Sequence, residues 1–130
     1  KYFKKNQTPT TPSIPHMYGL KKVIEIIKSE GLENRWNRHI EMAQFTRKWA
    51  LNNGQELFTN KNALSNTLTC IKNVQNWDIE SINEKLLSRG FRMDRGYGKY
   101  RYKTFRIPHM GNVYLDDLKE YLDSFEDAIC

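Results

Sequence analysis

The chain has 130 residues, a length that predicts one hydrophobic core with no room for a second. Its two cysteines, Cys70 and Cys130, form no C-x-x-C pair, which argues against a disulfide framework and favours a reducing, cytoplasmic setting. No apolar stretch approaches the roughly 18 residues of a membrane span, so we expect no membrane partner. The net charge of +6 leaves nucleic acid, an anionic cofactor and an anionic substrate open as partners.

Residues 6–15, NQTPTTPSIP, predict a stiff, extended loop near the N-terminus. Three prolines in this segment disfavour the α region in each preceding residue. The loop also carries hydroxyl groups that suit phosphate oxygens if it lies against another surface, and they belong to Thr8, Thr10, Thr11 and Ser13. A threonine- and proline-rich linker is the alternative, and the residues by themselves favour that linker.

Two amphipathic helices follow the loop. Pro15 fits the first turn of helix one, which we expect to end at Gly31. Its apolar residues share one face and are Met17, Leu20, Val23, Ile24 and Ile27. Helix two is longer and stops at Asn53-Gly54. Its apolar stripe consists of Leu32, Trp36, Ile40, Ala43 and Ala50.

The middle of the chain predicts two short strands and a third helix. Threonine, leucine and isoleucine favour strands at Glu56–Phe58 and Thr67–Ile71. Asp78 has the side chain and position of an N-cap, and Gly90 closes the helix that it begins. The apolar residues of this helix are Ile79, Ile82, Leu86 and Leu87.

The last third of the chain predicts a hairpin and a final helix. Phe91–Met93 and Lys103–Ile107 are extended runs on either side of a glycine-containing turn at residues 94–102. The final helix has one acidic side and an apolar side formed by Leu115, Leu118, Leu122, Phe125 and Ile129. The order of elements predicts an α/β (α+β) domain in which helices cover one face of a small sheet.

Arg106 is the candidate for binding an anionic ligand. It lies in the apolar run Phe105-Arg106-Ile107 at the end of a predicted strand, where a guanidinium can hold a carboxylate by two parallel hydrogen bonds. An outward-facing arginine paired with a neighbouring acid is the alternative, and the residues alone favour it. No catalytic set or metal-binding spacing is present, since the three histidines lie in different elements: His16, His39 and His109.

The turn before Arg106 supports a second hypothesis, a free-standing basic α/β module that binds nucleic acid. Cations and tyrosines interleave here, as expected of a surface that stacks single-stranded bases: Arg95, Tyr97, Lys99, Tyr100, Arg101, Tyr102 and Lys103. Ordinary period-two patterning of an exposed hairpin gives the same sequence, so the signal has little specificity.

Taken together, these segments resemble the C-terminal small domain of class V pyridoxal-phosphate-dependent aminotransferases, the fold-type-I group with the alanine-glyoxylate and serine-pyruvate enzymes. The resemblance covers nearly the whole chain. It rests on the loop QTPTTPSIPHMYGL, the helix junction EGLENRWNRH, the segment RGFRMDRGYGKYRYKTFRIPHMGNV and the closing acidic helix. The phrase KTFRIPHMG is the most specific of these. The stretch 99–103 departs from relatives, which commonly have a glycine and a leucine there.

The resemblance implies specific roles for three residues. Arg106 matches the arginine that binds the substrate α-carboxylate. Thr11, with Thr8 as the weaker candidate, matches the loop that reaches the phosphate of pyridoxal 5'-phosphate in a neighbouring subunit of a homodimer. No residue of this chain is assigned a catalytic role. The implied domain boundaries are an interface loop at 1–15 and the small domain at 16–130.

The resemblance also implies an incomplete catalyst. In such enzymes the Schiff-base lysine and the acid that protonates the pyridinium nitrogen belong to an upstream large domain. The chain begins at Lys1 rather than Met, so we expect an upstream part to be missing. The isolated chain is expected to be inactive. The complete enzyme would transfer an amino group from a small amino acid to a 2-oxo acid such as glyoxylate or pyruvate.

Overall fold

The computed structural model describes residues 2–130, and the chain divides into two compact units between Arg35 and Trp36. The first unit contains a 3-10 turn at Phe3–Lys5 and helix α1, Ile14–Glu30. Helix α2, Leu32–Asn52, runs across the boundary into the second unit. No helix in residues 2–130 has the length and apolar character needed to cross a membrane.

Helix α1 has the predicted bounds. Pro15 lies in its first turn, and Gly31 ends it with a positive φ of 83° while its amide donates a hydrogen bond to the Ile27 carbonyl at 2.9 Å. No residue of α1 is buried, and four of the five residues of its predicted apolar face are 42–60% exposed: Met17, Leu20, Val23 and Ile24.

The second unit has a three-stranded antiparallel sheet in the order β1-β2-β3. The strands are β1, Glu56–Leu57; β2, Leu68–Lys72; and β3, Thr104–Pro108. The adjacent helices are α3, Ile79–Ser88, and α4, Leu115–Ile129. The Asp78 carboxylate caps α3 as predicted, because it accepts hydrogen bonds from the amides of Glu80 and Ser81 at 3.1 Å each.

Helices cover one face of this sheet, as the sequence predicts. Phe105 and Ile107 of β3 and Ile71 of β2 are buried in a core shared with α2, α3 and α4. Aromatic rings form its centre: the Phe125 ring stacks on Phe105 at 5.5 Å between centroids and meets the Trp49 ring edge-on at 5.1 Å. Residues that alternate with these core positions along β2 and β3 therefore face away from the helices.

The predicted strand at Phe91–Met93 is wrong. Its amides have other partners: Phe91 N–H donates to the Leu86 carbonyl at the end of α3, and Met93 N–H donates to the Asn83 side chain. Those donors are therefore not used for pairing with β3. The next residue, Asp94, forms an isolated bridge with Arg106.

The predicted apolar stripe of α2 is also partly wrong. Trp36 is 58% exposed and Ile40 is 36% exposed, whereas the buried face follows His39, Met42, Ala43, Thr46, Trp49 and Ala50. The sequence pattern overlooks Thr46 because it is polar. Its hydroxyl, however, donates to the Met42 carbonyl at 2.9 Å, which satisfies the group locally and permits its burial.

Candidate carboxylate-binding site

Strand β3 places Arg106 on the face of the sheet that the helices leave uncovered. Its neighbours Phe105 and Ile107 point into the core, so strand alternation turns Arg106 outward, opposite Cys70 of β2. The Arg106 side chain keeps 34% of its surface exposed. This arginine is therefore anchored by a buried strand and remains accessible to a ligand.

Asp94 holds Arg106 by a two-point ion pair. The Nε of Arg106 donates to Oδ1 of Asp94 at 2.9 Å, and Nη2 donates to Oδ2 at 2.5 Å. The Arg106 amide also donates to the Asp94 carbonyl at 3.4 Å, and Oδ1 accepts the Gly96 amide at 3.0 Å. These hydrogen bonds, chiefly those from Arg106, lower the pKa of Asp94, and the carboxylate in turn raises the pKa of Arg106.

The glycine-containing turn brings an aromatic ring onto the same guanidinium. The Cζ of Arg106 lies 5.0 Å from the centroid of the Tyr97 ring, within the range of a cation–π contact. Gly96 permits this turn because it has a φ of +76°, and a Cβ there would lie 2.6 Å from the Thr104 carbonyl oxygen. Asp94, Tyr97 and Arg106 thus form one cluster.

A basic cavity of about 580 Å³ adjoins this cluster. Asp94 and Tyr97, which both contact Arg106, are part of its wall, together with Arg92, Arg95 and Arg101. Asp94 is the only acidic residue of the wall, and its carboxylate is bound to Arg106. Arg95 pairs with Glu80 outside the wall. The cavity therefore has an excess of positive charge and suits an anionic ligand.

The loop after β3 is fixed to α2. The Arg38 guanidinium donates to the carbonyl of Val113 and, at 3.2 Å, to the carbonyl of Gly111, and it lies 4.6 Å from the centroid of the Tyr114 ring. These contacts hold the segment that follows Arg106 and His109 against α2. Because backbone groups are bound by a planar guanidinium, the end of β3 has a defined orientation.

The threonines predicted to contact phosphate lie in the first unit and are exposed. Thr8 Oγ1 donates to the Thr10 carbonyl at 2.6 Å, so its proton is already engaged. The Thr11 hydroxyl makes no hydrogen bond within residues 2–130. Ser13 pairs instead with His16, at 2.6 Å between Oγ and Nδ1. Thr11 therefore keeps the donor that a phosphate oxygen requires.

The three histidines lie in different places: His16 in α1, His39 in α2 and His109 directly after β3. His16 is exposed in α1, and His109 is fully buried, where its Nε2 lies 2.9 Å from the Thr69 hydroxyl. Burial lowers the pKa of His109, which favours the neutral ring. Within residues 2–130 no three side chains of the metal-binding types come together.

The sequence singles out Arg106 as a candidate but does not name its partners. The alternative interpretation expected some neighbouring acid, and Asp94 is that acid. The sequence pattern did not indicate which acid this is, because Asp94 was expected within the turn at residues 94–102, and its bridge to Arg106 is formed only by the folded segment.

A search against protein-family models finds no match. The chain is 36% identical over 112 residues to an uncharacterised aminotransferase of Methanocaldococcus jannaschii and 34% identical over 110 residues to serine–glyoxylate aminotransferase of Arabidopsis thaliana. These matches cover 85% and 81% of this chain but 29% and 27% of the relatives, so the chain spans less than a third of their length.

The fold agrees with these sequence matches. An alanine–glyoxylate aminotransferase from Nostoc sp. superposes with a TM-score of 0.84 and 23% identity, over 97% of this chain and 34% of that one. Aminotransferases of this class have fold type I and depend on pyridoxal phosphate. The chain therefore belongs to the class V aminotransferases and corresponds to their C-terminal domain.

Proposed function

We propose that this chain is the substrate-binding small domain of an aminotransferase that transfers an amino group from a small amino acid to a 2-oxo acid such as glyoxylate or pyruvate. The observation that carries the proposal is the accessible Arg106 guanidinium on the uncovered face of the sheet. The names of the Arabidopsis and Nostoc relatives, which act on serine, alanine and glyoxylate, support the substrate class.

Arg106 is proposed to bind the α-carboxylate of the amino acid. Asp94 uses the edge of the guanidinium formed by Nε and Nη2, and Nη1 makes no hydrogen bond to any described residue. The edge formed by Nη1 and Nη2 is therefore open to a second carboxylate, and two parallel hydrogen bonds there would fix the orientation of the substrate. Arg92 and Arg101 add positive charge in the adjoining cavity.

The residues present fit one part of the cofactor. The exposed Thr11 hydroxyl has its donor available for a phosphate oxygen, so we propose that Thr11 contacts the phosphate of pyridoxal 5'-phosphate, with Thr8 as the weaker candidate. When bound, the cofactor supplies the electron sink needed to move the amino group. We further propose that the complete enzyme is a homodimer and that a large domain supplies the lysine that holds the cofactor.

The proposal predicts that the isolated chain does not hold the cofactor covalently. The test is a spectrophotometric titration with pyridoxal 5'-phosphate, followed by borohydride reduction and peptide mapping. We expect no stable absorbance band and no single labelled lysine from the chain, and one labelled lysine outside this sequence from the complete enzyme. Stoichiometric labelling of one lysine within the chain would overturn the assignment of this domain as an incomplete catalyst.

The competing hypothesis, a nucleic-acid-binding module, has one favourable observation. The tyrosine rings of the turn are 41–76% exposed. Two of these rings, however, already contact cations of the same segment. Lys99 lies 5.2 Å from the Tyr100 centroid, and Arg101 lies 4.9 Å from the Tyr102 centroid. Salt-sensitive retention on heparin that requires Arg101 and Lys103, with no effect of Arg106→Ala, would favour nucleic-acid binding over the proposed function.

A further inference from the structure

We infer that Asp94 is a positioning residue: it fixes the side edge of the Arg106 guanidinium so that the opposite edge is presented to the substrate carboxylate. The inference rests on the proposed function and deepens it by assigning a role to a residue that does not touch the substrate. It is carried by the geometry of the pair formed by Asp94 and Arg106.

The geometry of a guanidinium supports this role. Its planar group offers two pairs of parallel donors, one along the side formed by Nε and Nη2 and one at the end formed by Nη1 and Nη2. Asp94 takes the side pair, at 2.9 and 2.5 Å. A carboxylate on the end pair would share Nη2 through its second hydrogen without displacing Asp94. Both anions can therefore be bound at once.

Asp94 is itself held in place. Its Oδ1 accepts the Gly96 amide at 3.0 Å, and its backbone carbonyl accepts the Arg106 amide at 3.4 Å. The carboxylate is thus held by the Gly96 amide, and the Asp94 backbone is held by that of Arg106. Rotation of the Arg106 side chain about its long stem would have to break two charge-assisted hydrogen bonds and leave the Tyr97 ring.

The charges of the adjoining cavity also favour a positioning role for Asp94. Arg92, Arg95 and Arg101 line the adjoining cavity, so a guanidinium released by Asp94 would be repelled by like charges. Asp94 is the one acid in that wall and neutralises Arg106 locally. We therefore expect the pair to hold Arg106 in place, and we do not expect Asp94 to compete with the substrate.

The test is steady-state kinetics of the complete enzyme with Asp94→Asn, Asp94→Glu and the matched control Glu80→Gln. Asparagine cannot bind both donors of the side edge, so the KM for the amino acid should rise by about tenfold, the equivalent of one charge-assisted hydrogen bond, while kcat changes by less than about twofold. Asp94→Glu should recover part of the loss. Glu80→Gln removes a different ion pair, the one between Glu80 and Arg95, which is the neighbour of Asp94. This variant should leave KM unchanged.

The outcomes separate this inference from the proposed function. Arg106→Gln should raise the KM for the amino acid whether or not Asp94 has a positioning role. If Arg106→Gln has no effect, the proposed function fails. If Arg106→Gln raises KM but Asp94→Asn leaves it unchanged or lowers it, only the positioning role is overturned. An equal rise in KM for Glu80→Gln would also overturn it, because a general loss of the fold would then explain the effect.

A second measurement needs no activity. In the 15N-labelled chain, the Nε–H signal of Arg106, assigned by its loss in Arg106→Lys, should exchange slowly with solvent because Asp94 accepts that hydrogen. We expect this protection to persist in Glu80→Gln and to be lost in Asp94→Ala, whose side chain has no acceptor. An Arg106 signal that exchanges as fast as that of exposed Arg101 in the unmodified chain would overturn the inference.

Discussion

Phe105 and Arg106 are consecutive residues of β3 that point to opposite faces of the sheet: Phe105 is completely buried in the aromatic core, and the Arg106 side chain is one-third exposed. Because Phe105 is held in the core, the strand backbone beside it also fixes the position from which the Arg106 side chain extends. Because a well-packed interior resists deformation, the direction of Arg106 depends on packing on the opposite face of the sheet.

The core prediction concerns Phe125 of α4, whose ring contacts Phe105, Trp49, Trp77 and Tyr121. Phe125→Ala should lower the free energy of unfolding by about 3–5 kcal/mol, because it leaves a cavity in the centre of the core. Denaturant titration followed by tryptophan fluorescence measures this change. Leu87→Ala, at a half-exposed position of α3, should cost much less; equal losses would contradict this description of the core.

A second prediction concerns the turn that brings Tyr97 to Arg106. Gly96→Ala should destabilise the domain and disorder the turn, because the added Cβ would lie 2.6 Å from the Thr104 carbonyl and 2.7 Å from the Tyr100 carbonyl. Gly98→Ala is the matched control, since its φ is also positive but no atom lies within 4 Å of the added Cβ. We expect the larger drop in melting temperature for Gly96→Ala, and the reverse order would refute the turn geometry.

A pH dependence follows from His109. Burial lowers its pKa below the ordinary 6.5, and the positive charge of Arg47 acts in the same direction. Because the pKa of His109 is lower in the folded chain, the unfolded chain binds more protons at this residue below pH 6.5, so the stability contributed by the neutral ring is present above that pH and declines as the pH falls below it.

The measurement for His109 is the free energy of unfolding from about pH 5 to 8, the range in which histidine titrates. The unmodified chain should lose stability towards the acid end. His109→Gln, which cannot titrate, should show a shallower slope. An unchanged slope in the variant would mean that His109 is not the group responsible.

Thiol reactivity provides a further test of the sheet. Burial raises the pKa of the Cys70 thiol. Cys70 of β2 lies opposite Arg106 of β3, whereas Cys130 is exposed. Because the thiolate is the reactive form, we expect iodoacetamide to label Cys70 about tenfold or more slowly than Cys130 at pH 8. Mass spectrometry of a time course, with Cys130→Ser to isolate the slow site, measures both rates. Faster labelling of Cys70 would contradict the packing of β2.

Local signals predicted much of the fold. The Asp78 N-cap correctly predicted the start of α3, and the spacing of apolar residues correctly predicted α4. Gly31 correctly marked the end of α1, before α2 begins. Long-range choices were harder. Whether Phe91–Met93 pairs as a strand depends on where its amides find acceptors, and Leu86 and Asn83 of α3 provide them. Likewise, the position of Arg106 on a strand could be predicted, but the acid that it binds is decided by the folded turn.

The most direct test of the central claim compares an amino acid with the matching amine that lacks the α-carboxylate, as substrates of the complete enzyme. If Arg106 binds that carboxylate, the unmodified enzyme should prefer the amino acid in kcat/KM by about a hundredfold, the worth of a bidentate charged contact, and Arg106→Gln should lose most of that preference. An Arg106→Gln enzyme that discriminates as well as the unmodified one would contradict the account.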